Sequence, residues 1–513
     1  MSRSYLVGVD IGSGACKLTI LSSDGNVVAT ASKEYPTYYP YPSYAEQEPD
    51  DWYLAVRDTF AEAVASSGIN QQDIAAISVD SATHTAVLTD ESGVPLRRAI
   101  LWTDQRSRKE SEELRSLYKD RILEITYHVP DPMWTLPQLL WVKRNEPSIF
   151  NKIKRIYFAK DYVRSRLTGD YVTDYIDALG SMFMDARTKQ WSRELCEMVG
   201  IDPDMLPRIV SPTDIVGTVS AKAAKETGLP EGTPVIAGAS DTALEVFGAG
   251  AVQLGQGTIK LATAGRICVV TDKAYPHPYL VNYNHVVPGY WYPGTGTKSC
   301  ATSYRWFRDT FGDIEREQSK AQNTSTYELL DRMASRVPVG SEGLFFHPYL
   351  LGELSPYGDP HLKANFVGIG MHHTKAHFAR SVLEGVAFSL RDCRTVLEDL
   401  GIAPHSLRII GGGSKSPLWR QIVADVLGTE LKTIEISDSS FGGAMLAGVG
   451  VGVFSSPLEA AERCVKPLST VTPDEKNHAR YSKMFEIYKE IHDKLADTDK
   501  KITGLLEAWS ADR

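Results

Sequence analysis

The chain has 513 residues, a prior of about three domains at roughly 150 residues each. Hydrophobic residues make up 42% and charged residues 23%, an ordinary globular mix, and 64 acidic against 55 basic side chains leave a formal charge of −9, which speaks against a general nucleic-acid or acidic-membrane binder. No run of about 18 apolar residues suits a membrane span, Met1-Ser2-Arg3-Ser4 opens no secretory signal, and six scattered cysteines without a Cys-x-x-Cys pair point to reduced thiols in a cytoplasmic protein.

The N-terminal segment reads as strand, tight turn, strand. Tyr5 to Val9 is apolar, Asp10-Ile11-Gly12-Ser13-Gly14 is a turn, and Lys17 to Leu21 is apolar again. Asp24-Gly25 marks a second hairpin before Val27-Val28. Pro49-Asp50-Asp51 supplies a helix start, and Trp52, Val56, Phe60 and Val64 recur every four residues. Ala75 to Val79 predicts another strand, and Ala86 to Leu88 with Leu96 to Trp102 predict a hairpin around Glu91-Ser92-Gly93. In mid-chain the opening theme returns: Thr258 to Ala262, a turn at Thr263-Ala264-Gly265, then Ile267 to Val270. A long helix is predicted from about Thr374 to Leu400, stopping at Gly401. Leu407 to Ile410 is a strand, followed by Gly411-Gly412-Gly413 and a helix with Ser416 as N-cap and Pro417 at its first position. A charged helical stretch from about Asp474 to Trp509 closes the chain. Matching order in two halves predicts a duplicated architecture with a boundary near Gly248-Ala249-Gly250.

Four constellations carry chemistry. In Asp10 to Lys17, two glycines flanking Ser13 let backbone amides approach an anion, and Asp10 at the strand end suits magnesium. A glycine hairpin is the plainer reading, and a Walker A loop is excluded because Gly-Lys-Ser/Thr is missing. Gly257-Thr258 through Thr263-Ala264-Gly265 repeats that setting in the second half; two such turns suggest a nucleotide gripped from both sides. Ile409 to Pro417 offers strand, glycine turn, helix, where a nucleotide lies against bare backbone, or simply a tight turn. It fails the dinucleotide fingerprint at Ser416, which disfavours a nicotinamide dehydrogenase. In Ala237 to Ala243, a strand delivers Asp241 to a cleft, although Asp241 also reads as a helix N-cap. His373 and His377, without a His-Glu-x-x-His pattern, read as helix-start histidines, and Lys152-Ile153-Lys154-Arg155 as a solvated face.

In this order the segments resemble the FGGY carbohydrate kinases of the sugar kinase, Hsp70 and actin superfamily over nearly the whole chain. Asp10 to Lys17 resembles their first phosphate motif; Ala45 to Trp52, Ile100 to Arg106, Lys160-Asp161-Tyr162, Leu167-Thr168-Gly169 and Gly238 to Gly248 follow; Gly411 to Trp419, Ala424-Asp425 and Gly442-Gly443-Ala444 resemble the adenine-side motifs. Within the family the xylulokinases are most similar. Their Gln-Met-His-Gly corresponds to Ala82-Thr83-His84-Thr85, their Gly-Glu-Arg-Thr-Pro to Gly352-Glu353-Leu354-Ser355-Pro356, and their Asp-Asn to Asp241-Thr242; Ala262 stands where glycine is usual. These departures fall largely on the sugar side.

The resemblance implies two duplicated actin-like (ribonuclease H-like) α/β domains around a central cleft that closes on substrate: 1–249, with the sugar site and first phosphate loop, and 250–513, binding the nucleotide. It implies transfer of the ATP γ-phosphoryl group to a sugar hydroxyl, most simply of a ketopentose such as D-xylulose, with another ketose, a polyol or an autoinducer-like linear sugar open. Asp241 is then the general base, and Asp10 and Asp241 hold Mg2+. Ser13, Gly14, Lys17, Thr263, Ala264 and Gly265 hold phosphates, while Gly412, Gly413 and Ser416 face the adenosine. Thr83, His84, Trp102, Asp104, Asp241 and Thr242 face the sugar; for Trp102 a plain core tryptophan is the competing reading. ATP and the sugar are the partners, without nucleic acid or membrane, in a possible homodimer. The rival of another class is a non-catalytic ATP-binding sugar sensor of the same fold.

Overall fold

In a computed structural model that describes residues 4–511, the chain forms two compact units, each built on a six-stranded sheet. The first unit comprises residues up to 253 together with 270–292 and 436–466; the second comprises 254–269, 293–435 and the chain from 467 onward.

In the first unit, β1 (Tyr5–Ile11), β2 (Ala15–Ser22) and β3 (Val27–Glu34) form an antiparallel meander. β4 (Ile74–Ser81) runs parallel to β1, and β5 (Ile215–Thr218) pairs antiparallel with β6 (Pro234–Ile236), which runs parallel to β4. The order is β3-β2-β1-β4-β6-β5. The helix Pro49–Ser67 buries Trp52, Val56 and Phe60 in one core with Val7, Val9, Leu18 and Ile20, as its four-residue spacing predicts.

The opposite face of β1 is covered by the helix Ser439–Gly450, from the far end of the sequence. Small residues make the approach possible: a Cβ on Gly8 would lie 1.9 Å from Ser440 O, and one on Gly442 2.1 Å from Leu244 O. Thr19 Oγ1 and Ser440 Oγ are 2.7 Å apart. The compact units therefore do not follow a single cut at 249/250, because 270–292 and 436–466 pack into the first one.

The second unit repeats the pattern with β7 (Gln256–Leu261), β8 (Gly265–Val269), β9 (Gly294–Thr297), β10 (Ser406–Ile410), β11 (Leu431–Ile434) and β12 (Pro467–Val471). Its order β9-β8-β7-β10-β11-β12 has the same sequence of antiparallel and parallel pairings. The duplication expected from the two halves is thus present in the strand order. The predicted long helix is Lys375–Asp399, and Gly401 beyond it has φ +75°.

One predicted hairpin is corrected. Ala86–Thr89 pairs with Arg155–Phe158, while Ala99–Ile100 pairs with Glu46–Gln47; the Thr89–Pro95 bridge and the hydrogen bond from the Leu96 N–H to Leu88 O (2.8 Å) keep the start of the expected hairpin. Arg97, ion-paired with Glu46 and Glu146, draws the second segment away. All six cysteines are buried, and none forms a disulfide among the described residues. Among the described residues no helix is long and apolar enough to cross a membrane.

Candidate active site

The C-terminal ends of β1, β4 and β6 bring acidic residues together. Asp10 lies beside Asp80 in parallel register, and Ser81 bridges to Ser240 just past β6. Gly238 makes this exit possible: its φ is +75°, and a Cβ would stand 2.1 Å from Val79 O. The chain then enters the helix Asp241–Gly248, with Ser240 as N-cap and Asp241 as its first residue, one place inside the expected cap. A carboxylate there meets the favourable end of the helix dipole.

Asp241 Oδ1 accepts hydrogen bonds from Thr83 Oγ1 (3.0 Å) and the Thr242 N–H (2.7 Å). Thr242 Oγ1 lies 3.1 Å from the hydroxyl of Tyr292, which is fully buried. Asp10 and Asp80 are also buried, and among the described residues Asp10 Oδ1 and both Asp80 oxygens lack a well-formed hydrogen bond. Burial and the Asp241 and Asp438 carboxylates push Asp10 up to about 7, against the pull of Ser439 and Lys17. Burial and the same crowding, by Asp10 and Asp241, drive Asp80 well above the ordinary carboxylate range.

A divalent cation relieves such a surplus of buried negative charge. Asp10 and Asp241 suit Mg2+, which keeps several waters and takes few carboxylates. Among the described residues no three His, Cys, Asp or Glu groups are placed to hold a metal ion.

On the proposed sugar side, His84 is buried with Nδ1 lacking a hydrogen-bond partner among the described residues. Burial and the neighbouring His128 lower its pKa to about 3, so its ring is neutral at working pH. Trp134 packs 4.8 Å from that ring, centroid to centroid. Trp102 is 37% exposed and donates from Nε1 to Ser13 Oγ at 3.0 Å, so it is no core tryptophan and instead touches the turn between β1 and β2. Asp104 is buried and engaged by the Ala45 N–H and by the Arg106 N–H, Nε and Nη2. It shapes the loop carrying Trp102. In the first turn, Ser13 and Gly14 are exposed, and Lys17 lies opposite Asp10 across the hairpin.

The second unit gathers the remaining candidates. Thr263 and Ala264 are exposed in the turn between β7 and β8, and Gly265 opens β8. The Thr263 carbonyl accepts from the Cys300 N–H (3.1 Å) and Thr302 Oγ1 (3.0 Å), which fixes the turn. Gly411, with φ +87°, would place a Cβ 2.7 Å from Leu261 O, so the glycine run adjoins that turn. Around a Cβ on Gly412 there is open space, whereas one on Gly413 would stand 2.7 Å from Trp419 Cζ3. Ser416 caps the helix Pro417–Leu427 through Trp419 N–H, as predicted. The histidines near 375 are helix-start residues, as expected: His377 Nδ1 accepts from the Thr374 N–H in a capping box.

Sequence reasoning missed Asp80 and Tyr292. A lone acid ending an apolar strand signals a buried carboxylate, which makes Asp80 findable. Tyr292 is brought to Thr242 only by tertiary packing.

Family models for the N-terminal and C-terminal domains of the FGGY family of carbohydrate kinases match residues 5–248 and 250–451. A xylulose kinase of Bacillus subtilis is 34% identical over 491 residues, covering 95% of this chain and 96% of its own. The crystal structure of a xylulose kinase from Rhodospirillum rubrum superposes with a TM-score of 0.89 at 29% identity, over 97% of this chain and 100% of that one. A gluconate kinase from Lactobacillus acidophilus gives the same TM-score, 0.89, at 27% identity, over 97% and 99%.

Proposed function

Since the chain belongs to the FGGY family of carbohydrate kinases, we propose that its acceptor is a ketopentose of the D-xylulose type and that Asp241 is its general base. The observation that carries this reading is Asp241 Oδ1 held by Thr83 next to neutral His84, at the end of the strands that also carry Asp10. Likeness to xylulose kinases supports the choice of sugar.

In the reaction, Asp241 takes the proton of the acceptor hydroxyl. The sugar oxygen bonds to the γ-phosphorus of ATP, the bond to the β–γ bridging oxygen breaks, and ADP leaves. Such transfer depends chiefly on positioning and charge stabilisation. Asp10 and Asp241 would hold a hydrated Mg2+, which would supply neutralisation of the triphosphate charge. Ser13, Gly14 and Lys17 contact phosphate, as do Thr263, Ala264 and Gly265, and the adenosine takes Gly412, Gly413 and Ser416. Thr83, His84, Trp102 and Thr242 contact the sugar, with Asp104 acting through the Trp102 loop.

A coupled assay of ADP release over pentuloses, hexuloses, polyols and gluconate tests the assignment. The expected result is the highest kcat/KM with D-xylulose. A preference for gluconate or a polyol replaces the acceptor, and no sugar-stimulated ADP release leaves a non-catalytic sensor.

A further inference from the structure

We propose that Asp177 and Gly180, on the short helix Tyr175–Gly180, are positioning residues that fix His84 for the acceptor without touching it. The proposal rests on the sugar-side reading of His84 given above.

His84 has φ +52°, a left-handed backbone that an L residue adopts only when its surroundings impose it. Two buried side chains clamp the peptide groups on either side. Asp177 Oδ1 accepts the His84 N–H at 2.9 Å, and Thr135 Oγ1 donates to the His84 carbonyl at 2.6 Å. The ring is walled by Trp134 on one side and by Gly180 on another. A Cβ on Gly180 would stand 3.0 Å from His84 Cδ2 and 3.0 Å from Thr83 Cγ2, so the missing side chain is the space in which both sugar-side residues sit.

Asp177 is itself held. Asp174 caps the helix through the Ile176 N–H (2.8 Å) and the Asp177 N–H (3.2 Å), and fully buried Lys160 lies 2.8 Å from Asp174 Oδ2 and 3.8 Å from Asp177 Oδ2. Asp161 and Arg164 complete a network with no exposed member. A buried ion network is weak evidence for stability in itself. Through Asp177 this one reaches the His84 N–H, while Arg164 anchors its other end on the carbonyls of Ala237 (2.5 Å) and Val172 (2.6 Å).

The test uses the full chain with Asp177→Ala, Asp177→Asn and Gly180→Ala. Loss of the acceptor leaves a buried N–H unpaired, so D177A raises KM for the sugar by about tenfold to a hundredfold with KM for ATP unchanged. D177N, whose amide oxygen still accepts, restores most of that loss. G180A leaves the ion network intact, and Gly180 lies outside the left-handed region, so the backbone accepts alanine. It raises sugar KM at an unchanged melting temperature. Crystal structures of the variants give an answer independent of turnover: His84 leaves φ near +52° in D177A, and its ring shifts in G180A. Wild-type sugar KM in both D177A and G180A overturns the proposal, as does an unmoved His84 in both structures. If D177A fails to fold, G180A decides by the same two readouts. A wild-type protein that phosphorylates no acceptor removes the kinase reading instead, and the His84 conformations in the variant structures still decide this one.

Discussion

The two sheets share one strand order and one turn length, and they differ in sign at one place. In the first unit the penultimate residue of the opening strand is Asp10, flanked by Lys17 across the hairpin and Asp80 alongside. In the second, the corresponding residue is Lys260, flanked by Arg266 and Ile410. One scaffold thus ends in crowded buried acids on one copy and in basic residues on the other. Crowded buried acids such as those of the first suit a cation. Strand topology fixes where a site can stand, and the residues at the strand ends fix its chemistry.

Asp241→Asn strikes hardest at this contrast. Turnover is expected to fall about 10²- to 10⁴-fold while ATP binding, read by calorimetry, persists. Near-normal turnover would remove proton acceptance from the first unit.

Glu353→Gln probes a buried acid of the other unit. Glu353 accepts from Thr297 Oγ1, Ser389 Oγ and the N–H groups of Lys298 and Leu354, yet burial outweighs these donors and raises its pKa from 4.5 to about 7. A carboxyl raised on folding contributes its full stability below the unfolded value and loses it as pH rises through the folded one. Denaturation of wild type and E353Q should therefore show wild type losing roughly 3 kcal/mol relative to the variant between about pH 4.5 and 7. A pH-independent difference would show that this acid is neutral or charged alike in both states.

Tyr292→Phe leaves Thr242 without its hydroxyl neighbour. The expected cost is about 1 kcal/mol, or about fivefold in kcat/KM for the sugar, with ATP kinetics unaffected. An equal effect on both substrates would argue for general loosening of the first unit. Smallest is Gly412→Ala, where the added methyl meets open space in the fold and crowds only the nucleotide. KM for ATP should rise about twofold to threefold with sugar KM constant. A sugar-side effect there would blur the division of labour.

What the sequence revealed was local. The turns expected at Asp10–Gly14 and Thr263–Gly265, which the structure narrows or shifts to 12–14 and 262–264, the Ser416 cap and the helix expected at about Thr374 to Leu400, found at Lys375–Asp399, follow from glycine placement, capping chemistry and spacing within one element. Asp241 was legible because a carboxylate amid small residues after a strand is unusual. The burial of Asp80 could be read from a lone acid at the end of an apolar strand, but its place beside Asp10 could not, since only the register of β4 on β1 sets it there. Within Leu96 to Trp102, Ala99–Ile100 pairs elsewhere than expected because Arg97 answers to Glu46 and Glu146, acids remote in sequence. The left-handed turn at His84 likewise follows from Asp177 and Thr135, which no nearby residue announces.

The helix Ser439–Gly450 closes over Gly8, so the earliest strand in the chain is completed by one of its latest helices. During synthesis the sheet begun at Tyr5 must keep an apolar face uncovered until Gly442 and Gly443 emerge. For that interval the nascent chain is at its most vulnerable to sticking to its neighbours. A gene cut after codon 249 would encode that vulnerable state permanently, so separate expression of the two halves should yield aggregate from the first unless the 436–466 segment is supplied alongside it.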